Sequence, residues 1–534
     1  MESFADDLSR MQRTPLTERH VASLTEISQE VDWPAGETVV TPGQPMTEFI
    51  YLLSGGIEVF DIHTGEAYLP FHIGPGQFLG EVAFLNGTAA VTAMRTREPC
   101  KVLIADRVDV LALMSKIPEM SDIILTVFAA RRRRQIEMED GNLTLIGAEE
   151  SRPVRRVESF LSRNKVPFKS LPLSDPAASD LCGGSARPGA IFANDALIDD
   201  PSPADIAGLL GLDQPANGNA EVDVLIVGGG PSGVAAAVYA GAEGLSSMLV
   251  EALATGGQAG TSSRIENYMG FPTGISGGDL VWRGEIQAMK FGTTFVRPRR
   301  VTTLVGSESG RFHAGLDDGT LVDAGAIVIA TGVEYVRLPW AKETDFEGAG
   351  VYYAATETEA RYCENDEIIV VGGGNSAGQA AMFLCRRAKH VHVMVRGKSL
   401  AASMSDYLSA RLDADPGITL HYSTEIERLD GAAHLETVHY RCGETLGEMN
   451  ARGVFVMVGA APHTEWLANA VAMDDKGFVL TGPDHGGRSP FESSVHGIFA
   501  VGDVRAGSVK RVASAVGEGS VAISSVWRHV RGAD

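Results

Sequence analysis

Val222-Asp223-Val224-Leu225-Ile226-Val227-Gly228-Gly229-Gly230-Pro231-Ser232-Gly233 is an apolar run that ends in a glycine-rich turn, and an alanine-rich stretch, Val234 to Gly244, follows it. A continuous apolar strand is what a parallel sheet covered on both faces requires. In the spacing Gly228-x-Gly230-x-x-Gly233 each glycine has its own role. The first permits the tight turn, the second lets backbone approach a pyrophosphate, and the third lets helix pack closely on strand. Pro231 and Ser232 lie within the same cradle, at the start of a helix whose outward N–H groups suit phosphate. The next strand, Ser247 to Val250, ends in Glu251, 23 residues past Gly228 and suited to hold a ribose diol.

The pattern recurs. Glu367 to Val371 reads as a strand, Gly372-x-Gly374-x-x-Ala377 as its turn with Asn375 and Ser376 inside it, and Gly378 to Arg386 as the helix. The following strand, His390 to Val395, is succeeded by Arg396 and Lys398 instead of an acid. An acid there would hold the 2′-hydroxyl of NAD, whereas a cation accepts the 2′-phosphate of NADP. One chain therefore holds two βαβ nucleotide units. One suits FAD and the other NADPH, whose hydride passes to the flavin; the cofactor carries that chemistry, so no catalytic acid–base residue is assigned.

The 534-residue length implies three or four domains. Hydrophobic residues make up 44% and there are 61 glycines, enough for several cores and many tight turns. A net charge of -23 argues against a nucleic-acid partner, which needs clustered cations. No long apolar run suggests a membrane span, and the first residues lack a basic head and apolar core, so a cytoplasmic location is expected. The five cysteines, Cys100, Cys182, Cys363, Cys385 and Cys442, are odd in number and no two lie within three residues. Free thiols are expected, and neither a metal site nor a disulfide framework.

Before residue 140 short apolar runs alternate with glycine turns, at Thr38 to Val40, Phe49 to Leu53, Ile57 to Ile62, Tyr68 to Ile73 and Cys100 to Ile104. This spacing predicts a small antiparallel roll, followed by helices over Ala105 to Ser115 and Glu119 to Gly141. The run Arg131 to Arg134 on the second helix reads as a solvated face or an interdomain network. Residues 142–215 read as strand, helix, strand, hairpin and helix, and Asp213 to Glu221 as a linker.

The region from about 220 to 534 resembles the low-molecular-weight thioredoxin reductase family. The resemblance rests on Gly228 to Gly233, Gly256-Gly257-Gln258, Ile265 to Pro272, Ala330-Thr331-Gly332, Gly372 to Ala377 and Val501-Gly502-Asp503. It implies an α/β fold class: two Rossmann-like, three-layer domains, with an FAD domain split between 220–335 and 461–534 and an NADPH domain at 336–460. Gly257, Gln258, Asn267, Thr331 and Gly332 would line the flavin and its linker, Gly502 and Asp503 the ribityl–phosphate part. Lys510, Arg511 and Val512 would face the flavin's pyrimidine edge, where the family has Arg-Gln-Ala. Hinges would lie near Glu334 to Leu338 and Gly459 to Thr464, and the resemblance implies a homodimer. The family also carries a Cys-x-x-Cys pair. The matching stretch here, Gly350-Val351-Tyr352-Tyr353-Ala354-Ala355-Thr356-Glu357, has none, and Cys363 stands further on alone. Thiol–disulfide exchange needs two thiolates, so ordinary reduction of thioredoxin is not expected.

Residues 1–140 resemble cyclic nucleotide-binding domains through Gly76 to Leu85. Gly80 and Glu81 are the regulatory-ligand candidates, Glu81 for a ribose hydroxyl. Where the family places a phosphate-binding arginine this chain has Ala90, and Arg95 and Arg97 share one strand face, so a degenerate regulatory domain is expected. Residues 142–215 resemble a thioredoxin or glutaredoxin module without its cysteines. The expected function is NADPH oxidation through FAD toward an unidentified acceptor. Disulfide reduction with thiols supplied elsewhere, and a slow-turnover sensor, are the alternatives. His390 and His392 point to one side of a strand without the pattern of a metal site.

Overall fold

The computed structural model describes residues 14–532, except 63, 68–71, 81, 138–141, 193–196, 214–218, 263, 307–309, 336–345, 347–348, 354, 356, 362, 402–403, 433, 459 and 468–469. The chain divides into two compact units: residues 1–226, 237–254 and 284–325, and residues 227–236, 255–283 and 326–534.

The first unit begins with the roll. Gln29–Trp33, Glu48–Ser54 and Cys100–Asp106 form one three-stranded antiparallel sheet, and Thr38–Val40, Ile57–Phe60 and Ala93–Thr96 another. Ile50, Leu52, Ile57, Leu79, Met94 and Val102 make the core around which they fold. Gln29–Trp33 and Ala93–Thr96 escape the sequence reading because charged side chains interrupt their apolar alternation. The expected second helix is α1 (Pro118–Glu137). Two of its arginines bond backbone, while Arg133 pairs with Glu137 one turn on. Arg131 donates to the carbonyls of Phe78 and Gly80, and Arg132, only 7% exposed, donates to that of Lys165.

The next segment has strands Leu143–Ile146, Lys169–Leu171 and Gly189–Phe192 and helices α2 (Arg152–Arg163), Pro176–Leu181 and α3 (Pro203–Leu210). Leu143–Ile146 is central, parallel to Lys169–Leu171 and antiparallel to Gly189–Phe192. On α2, Val154, Val157, Phe160 and Leu161 recur at helical spacing and are buried. A Ser202–Asp205 capping box starts α3 and left-handed Gly211 ends it. The supposed linker after it needs correction: Asp213 is buried against Arg299, and β1 (Ala220–Val227) already begins at Ala220. The polar composition concealed an anchor. Residues 214–218 lie outside the described residues.

The nucleotide sheet runs in the order Thr294–Val296, β2 (Ser247–Val250), β1, β3 (Leu321–Ile329), Phe312–Leu316, Val301–Gly306. Helix α4 (Pro231–Ala242) starts three residues before Val234, with proline at its head, where its missing N–H costs nothing.

The second unit carries β4 (Val333–Tyr335), β5 (Glu367–Val371), helix α5 (Asn375–Leu384), β6 (His390–Val395) and helix α6 (Asp406–Ala414). Its parallel sheet is ordered Val351–Tyr352, Gly453–Val456, β5, β6, Ile418–Tyr422. Strand β7 (Ala460–Pro462) returns to pair antiparallel with β4. Strand β8 (Ile498–Ala500) pairs in parallel with Ile327 to Ile329, and α7 (Val512–Arg531) ends the fold. Of the expected hinges, residues 336–338 and 459 lie outside the described residues.

Candidate functional site

Within the second unit the first fingerprint closes on itself. A Cβ on Gly228 (φ +108°) would sit 2.4 Å from the Ala330 carbonyl oxygen, and one on Gly233 would sit 1.9 Å from that of Gly228. No side chain fits at either position. At Gly230 nothing lies within 4 Å of the same construction, so open space faces the one glycine that a pyrophosphate would approach. The Gly256-Gly257-Gln258 turn lies against this loop. Gly256 N–H donates to Gly229 O at 2.8 Å, and a Cβ on Gly257 would come within 3.1 Å of Gly230 Cα. Gln258 Nε2 donates to Val333 O, and Thr331 Oγ1 donates to His463 O beside left-handed Gly332.

The chain's last segment crosses the same loop at Ser232, which is 5% exposed. A Cβ on Gly502 would meet Ser232 Oγ at 2.5 Å, and one on Gly519 of α7 would meet Ser232 O at 2.2 Å. Asp503, half-buried beside Gly502, has its carboxyl pushed up by burial; Lys510 pulls it down and Glu518 pushes it up further. Lys510 lies 5.7 Å from the Phe478 ring, Arg511 caps α7, and Val512 begins it. Sequence reasoning missed Glu518, which accepts the Gly502 N–H at 2.7 Å and pairs with Arg505 at 2.7 Å. Its only signal was its place between Gly517 and Gly519. Asn267 is exposed in the loop closed by the Ile265–Ile275 bridge.

In the first unit, Glu251 ends β2 half-buried, its Oε1 accepting the Leu253 N–H at 2.9 Å.

The second fingerprint has the same logic. A Cβ on Gly372 (φ +143°) would lie 2.3 Å from Met457 O. Gly374 caps α5, Ala377 is buried, and Asn375 and Ser376 are exposed at the helix head. Asn375 Oδ1 accepts both the N–H and the hydroxyl of Ser405, which aims its amide donors the other way. The Arg396 side chain is 88% exposed, with Glu425 3.9 Å away, and Lys398 is exposed. These are groups available to a phosphate.

Among the described residues no cysteine stands at this site. Cys363 is buried, its thiol pushed up to about 12 chiefly by burial. In the stretch that matches the family's pair, the Tyr352 ring lies tilted 5.1 Å from that of Phe455 and Ala355 is buried, while Ala354 and Thr356 lie outside the described residues. His390 and His392 do share a side, their rings 4.9 Å apart, and His392 hydrogen-bonds His421. Met404 is buried, and Tyr407 on α6 is 45% exposed.

In the roll, a Cβ on Gly80 would lie 2.8 Å from the Phe128 ring, and Glu81 lies outside the described residues. Ala89 N–H donates to Leu210 O at 3.0 Å and Ala90 N–H to Gln44 O at 2.9 Å. Arg95 and Arg97 both pair with Glu58.

Residues 222–519 match the pyridine nucleotide-disulphide oxidoreductase family and residues 30–116 the cyclic nucleotide-binding domain. Thioredoxin reductase of Treponema pallidum is 32% identical over 313 residues, which span 58% of this chain and 97% of that protein. Thioredoxin reductase of Rickettsia felis is 31% identical over 57% of this chain and 96% of its own length. Among solved structures, the Lactococcus lactis thioredoxin reductase superposes with a TM-score of 0.54 at 28% identity, covering 58% of this chain and 99% of that one. With two glycine cradles and these relatives, the chain belongs to the pyridine nucleotide-disulphide oxidoreductase family, as a thioredoxin reductase-like NAD(P)H-dependent flavin oxidoreductase preceded by a cyclic nucleotide-binding domain.

Proposed function

We propose that this protein oxidises NADPH through FAD and delivers the electrons to an acceptor outside the chain, without a cysteine relay of its own. The observation that carries the reading is the pair of glycine cradles, one with open space at Gly230 and one with Arg396 almost fully exposed. The geometry fits the family's cofactors. In the second unit Gly228 to Gly233 and the head of α4 would hold the FAD pyrophosphate and Asp503 the ribityl–phosphate part; by its place in the family's fingerprint Glu251 would hold a ribose diol. At the second cradle, Gly372 to Ala377 would take the NADPH pyrophosphate, and Arg396 with Lys398 the 2′-phosphate. Bound flavin supplies two-electron chemistry, taking hydride from nicotinamide and returning electrons to an acceptor. The residues bind and orient; none has to move a proton for the hydride step. Lys510 at the head of α7 would tune the flavin's pyrimidine edge by its charge.

The missing relay narrows the acceptor to a quinone, oxygen, another small oxidant, or a partner that brings its own disulfide. We take the chain to act as a homodimer, as the family resemblance implies, and in the cytoplasm, as its sequence pattern leads us to expect. Anaerobic mixing with NADPH tests the core of the proposal: bleaching of the flavin band near ~450 nm within seconds, faster than with NADH, is expected. Bound flavin that stays oxidised for minutes with both nucleotides would overturn it. The names of the relatives favour one second reading, disulfide reduction through a partner's thiols; NADPH-dependent turnover of a disulfide substrate is its test.

A further inference from the structure

The two residues that bond Glu251, Leu253 and Arg299, are each tied to residues 142–215, a segment with no assigned role. On one side is Asn164, which caps the C-terminus of α2. The residue is 7% exposed, and its Nδ2 donates to Phe160 O at 2.9 Å and to Leu253 O at 3.1 Å. Leu253 also packs its side chain on the core formed by Leu143, Val154 and Phe160. Its N–H is the donor that Glu251 Oε1 accepts. On the other side, Glu251 O accepts the Arg299 N–H at 3.0 Å, and Arg297 N–H donates to Leu212 O at 2.9 Å. The Arg299 guanidinium in turn grips the buried carboxylate of Asp213.

A carboxylate that accepts an N–H on one oxygen has less rotational freedom. A glutamate at a strand end with no such support samples several rotamers, and ordering it costs binding energy. Here the Leu253 N–H orders the carboxylate, and Asn164 of the 142–215 segment holds the same residue by its carbonyl. The same segment is seated on the roll, since Leu210 O takes the Ala89 N–H two residues before Leu212 and three before Asp213.

We propose that Asn164 and Asp213 are positioning residues for Glu251, and that the 142–215 module is a buttress for the adenosine end of the flavin site. This rests on the reading of Glu251 as the acid that binds the FAD ribose. The module's sequence, without a cysteine pair, then needs no redox role of its own.

The test is a cycle on the full-length protein: wild type, Asn164→Leu, Glu251→Ala and the double variant, stripped of flavin and titrated with FAD. Asn164→Leu removes the donors at similar volume and is expected to weaken FAD about tenfold, equivalent to ~1.4 kcal/mol. The double variant should bind within about twofold of Glu251→Ala alone, because Asn164 acts through that carboxylate. A merely structural role predicts additive losses, and additivity, or an Asn164→Leu protein with wild-type affinity, overturns the proposal. Asp213→Asn, which keeps the shape and removes the charge, is put through the same cycle with a loss of about threefold expected, so that a poorly folding Asn164→Leu protein does not decide the matter. Wild-type protein that takes up no flavin would refute the flavoprotein reading itself. Flavin bound equally well by wild type and Glu251→Ala would refute only the role of Glu251, and the buttress with it.

Discussion

Two stretches of this chain lie in regions that resemble nucleotide-binding families, Gly228 to Gly233 at the head of α4 and Gly80 to Val91 in the roll, and they pack differently. At the first, the chain's own atoms stop short: Gly230 faces open space while Gly228 and Gly233 are crowded by carbonyls. At the second, the backbone donors at Ala89 and Ala90 already belong to Leu210 and Gln44, and Gly80 is pressed against Phe128. Arg107 and Arg131, which have the chemistry to bind a phosphate, donate instead to the carbonyls of Phe84, Leu85, Phe78 and Gly80. A phosphate at Ala89 and Ala90 would have to displace bonds already made, whereas nothing lies within 4 Å of a Cβ built on Gly230. Glycine spacing identifies a chain that turns sharply; whether the turn is empty depends on what packs against it.

The largest effect should come from setting the two turns against each other. Gly233→Ala should yield colourless protein with FAD weakened at least about a hundredfold, near ~3 kcal/mol, because the methyl would overlap Gly228 O. Gly80→Ala should cost the roll about 1–3 kcal/mol through the Phe128 clash yet keep its flavin absorbance. Equal flavin loss in both variants would break the comparison.

The second fingerprint extends it to a cradle with a cation at its edge. Arg396→Ala should raise the KM for NADPH about tenfold with little change in kcat or in NADH kinetics, since the 2′-phosphate alone loses a charged partner. An equal effect on NADH would make Arg396 structural.

Asp503 sharpens the first cradle further. Its carboxyl is raised by burial, so its contribution to folding is complete below the ordinary carboxylate range and is lost as pH rises through the raised value. Asp503→Asn should therefore raise the melting temperature of the flavin-free protein at pH 8, by ~2–4 °C if about 1 kcal/mol is relieved, while FAD affinity falls several-fold. Opposite signs in the two measurements mark a group kept for its ligand; matching signs would mark a structural one. The smallest expected signal is none. Calorimetric titration of the full chain with cyclic AMP or cyclic GMP should release no binding heat, and micromolar binding would show that the roll's inner bonds open to a ligand.

The strands that flank the two fingerprints were legible because their signal is local. Ser247–Val250, Glu367–Val371 and His390–Val395 are short apolar runs bounded by turns or charge, and the structure has those bounds. Gly228, Gly233 and Gly372 were legible for the same reason, since a glycine at a steric bottleneck leaves its spacing in the chain. Glu518, Asn164 and Asp213 carry no such mark. Glu518 matters through Gly502, 16 residues away, and Asn164 through Leu253, 89 residues away. Asp213 even sat in a stretch whose Pro, Gly and Asn content argued for a linker.

By itself the sequence carried the two glycine fingerprints and the cation, Arg396, that follows the strand after the second, because backbone sterics and residue chemistry act over a few neighbouring positions. Only the tertiary structure decided which cradle stays open, which arginines are consumed by carbonyls, and that a segment without chemistry of its own grips the loop bearing Glu251. Those outcomes depend on which distant donors and acceptors meet once the cores have packed.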